Sequence, residues 1–196
     1  ALVEETTLDA LARLLPAFLK TRRWFGGKAR TMNGAEIIDA IPVPELNSYI
    51  AFARVEYTEG DPEIYVIPVT VATGDAANEA LERFADTIVA HLRAPDGSTG
   101  VLYGAVHDAG FRNALLALVA RRRRLRGRNG EIVGSHSRAF RAIWGASHPS
   151  LESTVGSAEQ SNTSIMYGDR FILKLFRKVE PGINPDIEIS SYFTET

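Results

Sequence analysis

Three strand-like segments follow one another early in the chain, and they constrain its fold more than any other feature. Residues 35–43, 48–58 and 64–72 are rich in isoleucine, valine, tyrosine and phenylalanine, which favour extended backbone. Short turn sequences separate them at 47–48 and 59–62, where asparagine, serine, glycine and proline gather. Because short turns join antiparallel neighbours, the pattern predicts an antiparallel meander.

Two amphipathic helices are predicted beside these strands. Residues 6–20 place leucine and phenylalanine three and four positions apart, which is one face of a helix, and Pro16 is expected to kink or restart it. Residues 109–125 have a similar apolar side, and Asp108 is suited to cap their start. Together with further strands predicted around 86–106, this predicts an α+β fold of mostly antiparallel sheets with flanking helices.

The composition is that of an ordinary globular chain and excludes several classes of function. The 196 residues are 45% hydrophobic and 23% charged, which suffices for a stable core. The sequence contains no cysteine, so disulfide scaffolds, thiolate nucleophiles and Cys-based zinc sites are excluded. A net charge of −2 gives no overall attraction to nucleic acid or to an anionic membrane. With no apolar span or signal peptide in the sequence, we expect a cytoplasmic protein.

An arginine-rich run at residues 121–128 departs from this even charge. One interpretation is a stripe that binds phosphate groups. The favoured interpretation is the end of the predicted 109–125 helix followed by a solvated turn, because cations stabilise the negative end of a helix dipole. Gly127 and Gly130 agree with a turn at this point.

The last part of the chain predicts three more strands and a helix. The strands are 151–155, 163–167 and 171–176, with turns at 156–160 and at Gly168-Asp169. This order of elements is the opening of a protein-kinase-like small lobe. Such a lobe needs a loop that covers phosphates, a lysine on its third strand and a glutamate on the following helix.

Lys174 and Glu188 occupy the positions that such a lobe requires. Lys174 lies in the middle of the third predicted strand between apolar residues, so it either points into a cleft or lies on a solvated face. Glu188 falls in the next predicted helix, whose start is marked by Asn184 and Pro185. A lysine–glutamate pair holds the ammonium where it neutralises nucleotide phosphates. The ordinary alternative is a half-buried strand with an outward lysine.

Longer motifs closely resemble the bacterial maltokinase family. One is residues 22–30 (RRWFGGKAR) near the start of the chain. The others are residues 159–164 (EQSNTS), 173–177 (LKLFR) and 180–188 (EPGINPDIE). They follow one another in the family's order, and the resemblance spans nearly all of the chain, although residues 60–145 match only in general shape.

The resemblance implies an activity and a domain organisation. Members of this family transfer the γ-phosphoryl group of ATP to the anomeric hydroxyl of maltose, require Mg²⁺, and are often fused to or associated with trehalose synthase. Their fold is similar to that of aminoglycoside phosphotransferases with an extra N-terminal cap. We therefore expect a cap at residues 1–100 and a partial kinase small lobe at 101–196, truncated before the large lobe.

The resemblance also implies which residues bind nucleotide. These are the phosphate-covering loop residues Ser161, Asn162, Thr163 and Ser164, the phosphate-binding Lys174, and its partner Glu188. The loop departs from the glycine-rich pattern of protein kinases, because Gly156 is its only glycine. Hydroxyl and amide side chains are therefore expected to replace part of the backbone approach.

No catalytic or metal-binding residue is predicted within the chain. A kinase large lobe supplies a catalytic aspartate, an asparagine and a second aspartate for Mg²⁺, all downstream of the lysine. The chain ends soon after Lys174 and begins at Ala1, which agrees with a piece of a longer enzyme. Asp108 and Asn113 imitate the catalytic-loop spacing, but they precede Lys174, and Asp108 is better explained as a helix cap.

Other interpretations stay open. The basic and aromatic residues at 22–30 can stack on a sugar or dock trehalose synthase or a fused domain, whereas the ordinary interpretation is that Trp24 and Phe25 anchor the core. A related kinase for glucosamine or an aminoglycoside would carry a similar cap. The four histidines have no metal-ligand spacing and are expected in neutral polar or surface roles: His91, His107, His136 and His148.

Overall fold

The computed structural model describes residues 5–145, 147, 149–156 and 161–188, and it describes side chains from residue 8 onward. The helices in this part of the chain are α1 (Glu5–Thr21), α2 (Gly74–Arg83), α3 (Ala109–Ala120) and α4 (Arg138–Trp144). The strands as far as the third helix are β1 (Met32–Val43), β2 (Ser48–Tyr57), β3 (Glu63–Thr73), β4 (Ile88–Arg93) and β5 (Thr99–Gly104). The later strands are β6 (Arg124–Arg126), β7 (Glu131–Val133), β8 (Ser153–Val155), β9 (Asn162–Tyr167), β10 (Phe171–Phe176) and β11 (Lys178–Val179).

The largest layer is a six-stranded antiparallel sheet. Its path is β1-β2-β3-β5-β4, so the predicted meander of the first three strands is confirmed. The free edge of β3 is shared: β5 pairs with its second half, and β11 returns from the far end of the chain to pair with Ile64 and Tyr65. The fold is therefore α+β with antiparallel sheets and flanking helices, as predicted.

Both faces of this sheet are covered by apolar side chains. On one face, α1 packs Leu15 and Leu19 against β2 and β3, and both leucines are fully buried. The helix runs through Pro16 as one element, so it does not restart there. On the other face, α3 packs Phe111 and Leu115 against residues of β1, β2 and β9 in a common cluster.

The third helix is shorter than its sequence pattern indicates. It ends at Ala120, and the prediction that it continues to 125 is wrong. Arg122 adopts a left-handed backbone (φ +49°), after which residues 124–126 form β6, paired with β7. The reason is Leu125, which this reversal returns to the buried cluster beneath α3. The arginine run is thus a helix end followed by a hairpin strand.

The hairpin of β6 and β7 is fixed to β1 by a buried carboxylate. Asp39 accepts hydrogen bonds from the backbone N–H groups of Arg128 and Asn129, both at 3.0 Å. Gly127 passes so close to this carboxylate that any Cβ there would overlap its oxygen atoms. Glycine at 127 is therefore required by close approach.

The second sheet has three antiparallel strands in the order β10-β9-β8. Of the predicted 156–160 turn, residues 157–160 lie outside the described residues, whereas the Gly168-Asp169 turn joins β9 to β10 as predicted. The sheet is fastened to α3 by Arg112, whose side chain donates to Ser153 and whose carbonyl accepts a 2.6 Å hydrogen bond from Tyr167. In the described part of the chain, no helix is long and apolar enough to cross a bilayer.

Candidate functional site

The outer face of the three-stranded sheet gathers several of the residues predicted to bind nucleotide. Alternation along β9 and β10 directs Thr163 and Ile165 towards the core and leaves Asn162, Ser164 and Lys174 on the other side. Lys174 lies directly opposite Ser164 in the strand register. An ammonium, a hydroxyl and an amide thus share one face with the apolar side chains of Met166 and Ile172. Of the two alternatives for Lys174, a cleft or a solvated face, the structure shows the solvated face.

An acidic residue from the following segment reaches Lys174. The Oδ2 atom of Asp186 lies 3.5 Å from the Nζ atom of Lys174, and both side chains are more than half exposed. An ion pair this exposed contributes at most about 1 kcal/mol.

Glu188 lies in the same helical segment as Asp186. Residues 185–188 are helical, and the N–H of Asp186 donates to the Oδ1 of Asn184 at 2.9 Å, which confirms the predicted helix start. Side chains two positions apart on a helix point in different directions, so Asp186 and Glu188 do not share one side. In the described structure Asp186 holds the lysine, and the Lys174–Glu188 pair stays a prediction.

A small groove of about 300 Å³ adjoins this face. Ser161, Asn162 and Phe176 form one wall, and Lys178 with residues 180–185 forms the other. The second wall turns at Gly182, whose φ of +111° favours glycine. The predicted loop residues Ser161 and Asn162 therefore border a concave surface.

Thr163 is the exception among the four predicted loop residues. Its side chain is fully buried, and its hydroxyl oxygen accepts hydrogen bonds from Nε and Nη2 of Arg177, at 3.0 and 2.7 Å. Arg177 is itself only 4% exposed, and its guanidinium lies over the ring of Trp24, 4.7 Å from the centroid. A residue of the loop strand is thus connected to the RRWFGGKAR motif through one arginine.

The RRWFGGKAR motif is mostly a structural element. Trp24 and Phe25 are buried and pack against Tyr65, with ring centroids 6.2 and 5.0 Å away. Arg30 lies 3.4 Å from the centroid of the Tyr57 ring and donates to backbone carbonyls of the β2–β3 turn. The interpretation that these aromatic residues anchor the core is confirmed.

Glu63 connects this motif to the last strand of the large sheet. Its carboxylate accepts hydrogen bonds from the hydroxyls of Tyr57 and Tyr65, both at 2.7 Å, and pairs with Arg30 at 3.4 Å and Lys178 at 3.1 Å. Burial tends to raise the pKa of Glu63, but the hydrogen bonds from Tyr57, Tyr65 and Lys178 outweigh it and lower the pKa. Burial, helped by the bond to Glu63, raises the pKa of Tyr57 to about 12. The network fastens β11, and with it one wall of the groove, to β3.

The polar groups on the outer face of the three-stranded sheet are hydrogen-bond donors and one cation. Lys174 supplies a cation, and Ser164 and Asn162 supply donors on the same face. In the part of the chain that the structure describes, no three histidine or acidic side chains come together as metal ligands. The rings of His107 and His136 pack beside Phe84 and Phe140, and His148 lies outside the described residues.

A second and larger groove lies on the other side of the molecule's N-terminal part. It encloses about 1040 Å³ between α1, β1 and the hairpin of β6 and β7. Positively and negatively charged side chains line it, among them Arg13, Glu36 and Arg128. The buried carboxylate of Asp39 already accepts hydrogen bonds from two backbone N–H groups. No sequence pattern predicted this groove, because the segments that line it are far apart in the chain.

Sequence reasoning also missed the roles of Arg177 and Asp186. Both lie inside the motifs quoted above, but their partners are set by packing between distant elements. The sequence signal for a structural role of Arg177 is a charged residue directly after an apolar strand. This signal is not specific, because a solvated strand end has the same pattern.

These features define an antiparallel α+β cap domain that adjoins a small three-stranded sheet. Residues 18–108 match the family model of the maltokinase N-terminal cap domain. The matched segment begins inside α1, includes the RRWFGGKAR motif and ends at Asp108, which caps α3 through a 2.7 Å hydrogen bond from the N–H of Phe111. Residues 18–108 are therefore similar to the N-terminal cap of the maltokinase family, which confirms the family resemblance.

Proposed function

We propose that this chain is the N-terminal part of an ATP-dependent maltokinase and that the outer face of its three-stranded sheet binds the phosphates of ATP. The family match at residues 18–108 supports the class of enzyme. The observation that carries the site is the position of Lys174, which is accessible and lies opposite Ser164 on the face whose Asn162 borders the groove. The predicted division into a cap at 1–100 and a small lobe at 101–196 belongs to the same proposal.

In this proposal the chain binds and orients the nucleotide. Lys174 exchanges Asp186 for phosphate oxygens, and the side chains of Ser164 and Asn162 donate hydrogen bonds on the same face. ATP, when bound, supplies the γ-phosphoryl group that the anomeric hydroxyl of maltose accepts. The residues that take the hydroxyl proton and hold Mg²⁺ belong to sequence outside this chain, and the chain by itself is expected to be inactive.

The test is replacement of Lys174 by methionine in the complete kinase that carries this chain. We expect kcat/KM for ATP to fall on the order of 100-fold or more, because a cation that stabilises transferring phosphate is lost. Lys20→Met, an exposed lysine in the last turn of α1, is the matched control and should leave turnover unchanged. Unchanged maltose-dependent ATP consumption in Lys174→Met would refute the assignment.

The same assay identifies the acidic partner of Lys174. Asp186→Asn and Glu188→Gln each remove one charge from the same helical turn. A loss confined to Glu188→Gln would favour the pair implied by the family, formed when Asp186 gives way to nucleotide. A loss confined to Asp186→Asn would transfer that role to the residue that holds the lysine in this structure.

The other candidate functions have less support. A docking surface made of the motif's aromatic residues is disfavoured, since Trp24 and Phe25 are buried, whereas Arg23 and Lys28 are exposed. Trehalose synthase and a fused domain remain candidate partners on the family resemblance alone. An acceptor other than maltose, such as glucosamine or an aminoglycoside, is favoured by no observation in the described residues.

A further inference from the structure

We propose that Arg177 is a positioning residue that couples the N-terminal cap to the phosphate-covering loop through its contacts with Trp24 and Thr163. This inference rests on the proposed function, because it concerns how the same loop is held. It adds a structural connection between the RRWFGGKAR motif and β9, which are far apart in the sequence.

The side chain of Arg177 makes the first connection. Its Nε and Nη2 atoms both donate to the hydroxyl of Thr163, and its flat face lies over Trp24. Lysine reproduces neither the two-pronged donation nor the stacking. A cation that is only 4% exposed is costly unless such contacts compensate for lost hydration.

The backbone of Arg177 makes a second connection at the same point. Its N–H donates to the carbonyl of Ser161 at 3.4 Å, and its own carbonyl accepts a 2.7 Å hydrogen bond from the N–H of Val66 in β3. Arg177 therefore touches the loop strand with one backbone group and the six-stranded sheet with the other. Side chain and backbone fix the same junction independently.

The position of Thr163 controls the residues on either side of it. Asn162 and Ser164 point to the outer face because Thr163 points inward, and a strand that slips or rotates here moves both of them. Lys174 is carried on the neighbouring strand, opposite Ser164. Loosening the contact between Thr163 and Arg177 therefore weakens nucleotide binding more than it slows the phosphoryl-transfer step.

Kinetics of the complete kinase give the first test. Thr163→Val removes the hydroxyl but keeps the shape, and we expect KM for ATP to rise about tenfold while kcat stays within about twofold. Thr163→Ser keeps the acceptor and should restore KM. Arg177→Lys should resemble Thr163→Val, and Arg83→Lys, an exposed arginine near the Phe84 ring on α2, is its matched control.

A buried threonine elsewhere separates positioning from general destabilisation. Thr70 is buried in β3 and accepts a hydrogen bond from Ser48. Thr70→Val should lower the melting temperature to a similar extent as Thr163→Val but leave KM for ATP unchanged. An equal rise of KM in both variants would mean that only stability is involved, and would overturn the proposal.

Fluorescence gives a readout that does not depend on turnover. The chain has two tryptophans, so Trp144→Phe leaves Trp24 as the reporter beside Arg177. Without any ligand, adding Thr163→Val to this background should shift Trp24 emission, because the guanidinium loses its anchor, whereas Thr70→Val should not. Emission that is the same in all three proteins would contradict the coupling.

The two proposals fail in different ways. If Lys174→Met retains full activity, the nucleotide assignment of the face is wrong. If Lys174→Met is inactive while Thr163→Val and Arg177→Lys keep the wild-type KM, the nucleotide assignment stands and the coupling through Arg177 is wrong. Should Arg177→Lys fail to fold, Thr163→Val against Thr163→Ser still decides.

Discussion

At the scale of single residues, some roles follow from the local sequence and others depend on contacts between distant segments. Asp108 and Asn184 act as helix caps, as their positions before a helical pattern predict. Glu63 and Arg177 do not follow from their neighbours in sequence. Their partners come from β2, β3, β9, β11 and the N-terminal motif, so packing brings them together.

Glu63 leads to a pH-dependent prediction at this scale. Because the pKa of Glu63 is lowered in the folded protein, the unfolded chain takes up the proton first as the pH falls. The stability from Glu63 is therefore complete above its ordinary pKa of 4.5 and is lost as the pH falls through the folded value. Glu63→Gln should lower the free energy of unfolding at pH 7 by about 1 to 3 kcal/mol, and the difference from wild type should shrink below pH 4.5.

Urea unfolding from pH 3 to pH 7 measures this difference. Glu56→Gln is the matched control, because Glu56 is half exposed and its ion pair with Arg54 is solvated. A difference between Glu63→Gln and wild type that stays constant over this range would show that the charge of Glu63 has no part in the effect.

At the scale of elements, the strand patterns were reliable and one helix end was not. The three strands of the meander and the hairpin of β9 and β10 lie within a few residues of their predicted bounds, because alternation and turn sequences are local signals. The end of α3 was misplaced since residues 121–125 continue a helical pattern. The burial of Leu125, which the helical pattern does not reveal, favours a reversal at Arg122.

The first helix offers a direct test of which face is buried. Leu15 is fully buried between α1 and the sheet, whereas its neighbour Leu14 is 44% exposed. Leu15→Ala should reduce the free energy of unfolding by about 2 to 5 kcal/mol through lost burial and a cavity. Leu14→Ala should cost less than about 1 kcal/mol, and similar losses in chemical denaturation would mean that the helix is rotated from the face described.

At the scale of the whole molecule, the cap sheet and the three-stranded sheet share one core. Ile41 and Ile50 of the large sheet lie in the same buried cluster as Ile165 and Tyr167 of β9, with α3 between them. The return of β11 to β3 pairs residues 178 and 179 with residues 64 and 65, more than a hundred positions earlier. The proposed division at residue 100 falls inside β5, which pairs with both β3 and β4.

This shared core predicts cooperative unfolding of the chain. We expect one transition in calorimetry and the same midpoint by far-ultraviolet circular dichroism and tryptophan fluorescence. Tyr167→Phe removes the bond between the small sheet and α3, and should lower that single midpoint without splitting it. Two resolved transitions would instead support independent domains on either side of residue 100.

The meander of β1 to β3, the hairpin of β9 and β10, the start of α3 and the family resemblance were readable from the residues alone. Each depends on signals that short stretches of sequence contain: alternation, capping residues, turn sequences and family motifs. The sequence alone did not predict that Thr163 faces the core and contacts Arg177. It also did not predict that Arg177 stacks on Trp24 or that Lys174 pairs with Asp186. These contacts join residues that are separated along the chain and become neighbours only when the sheets and helices bury their apolar faces together. Hydrophobic burial determines which segments meet. Hydrogen bonds then determine which of the polar groups at the junction become partners.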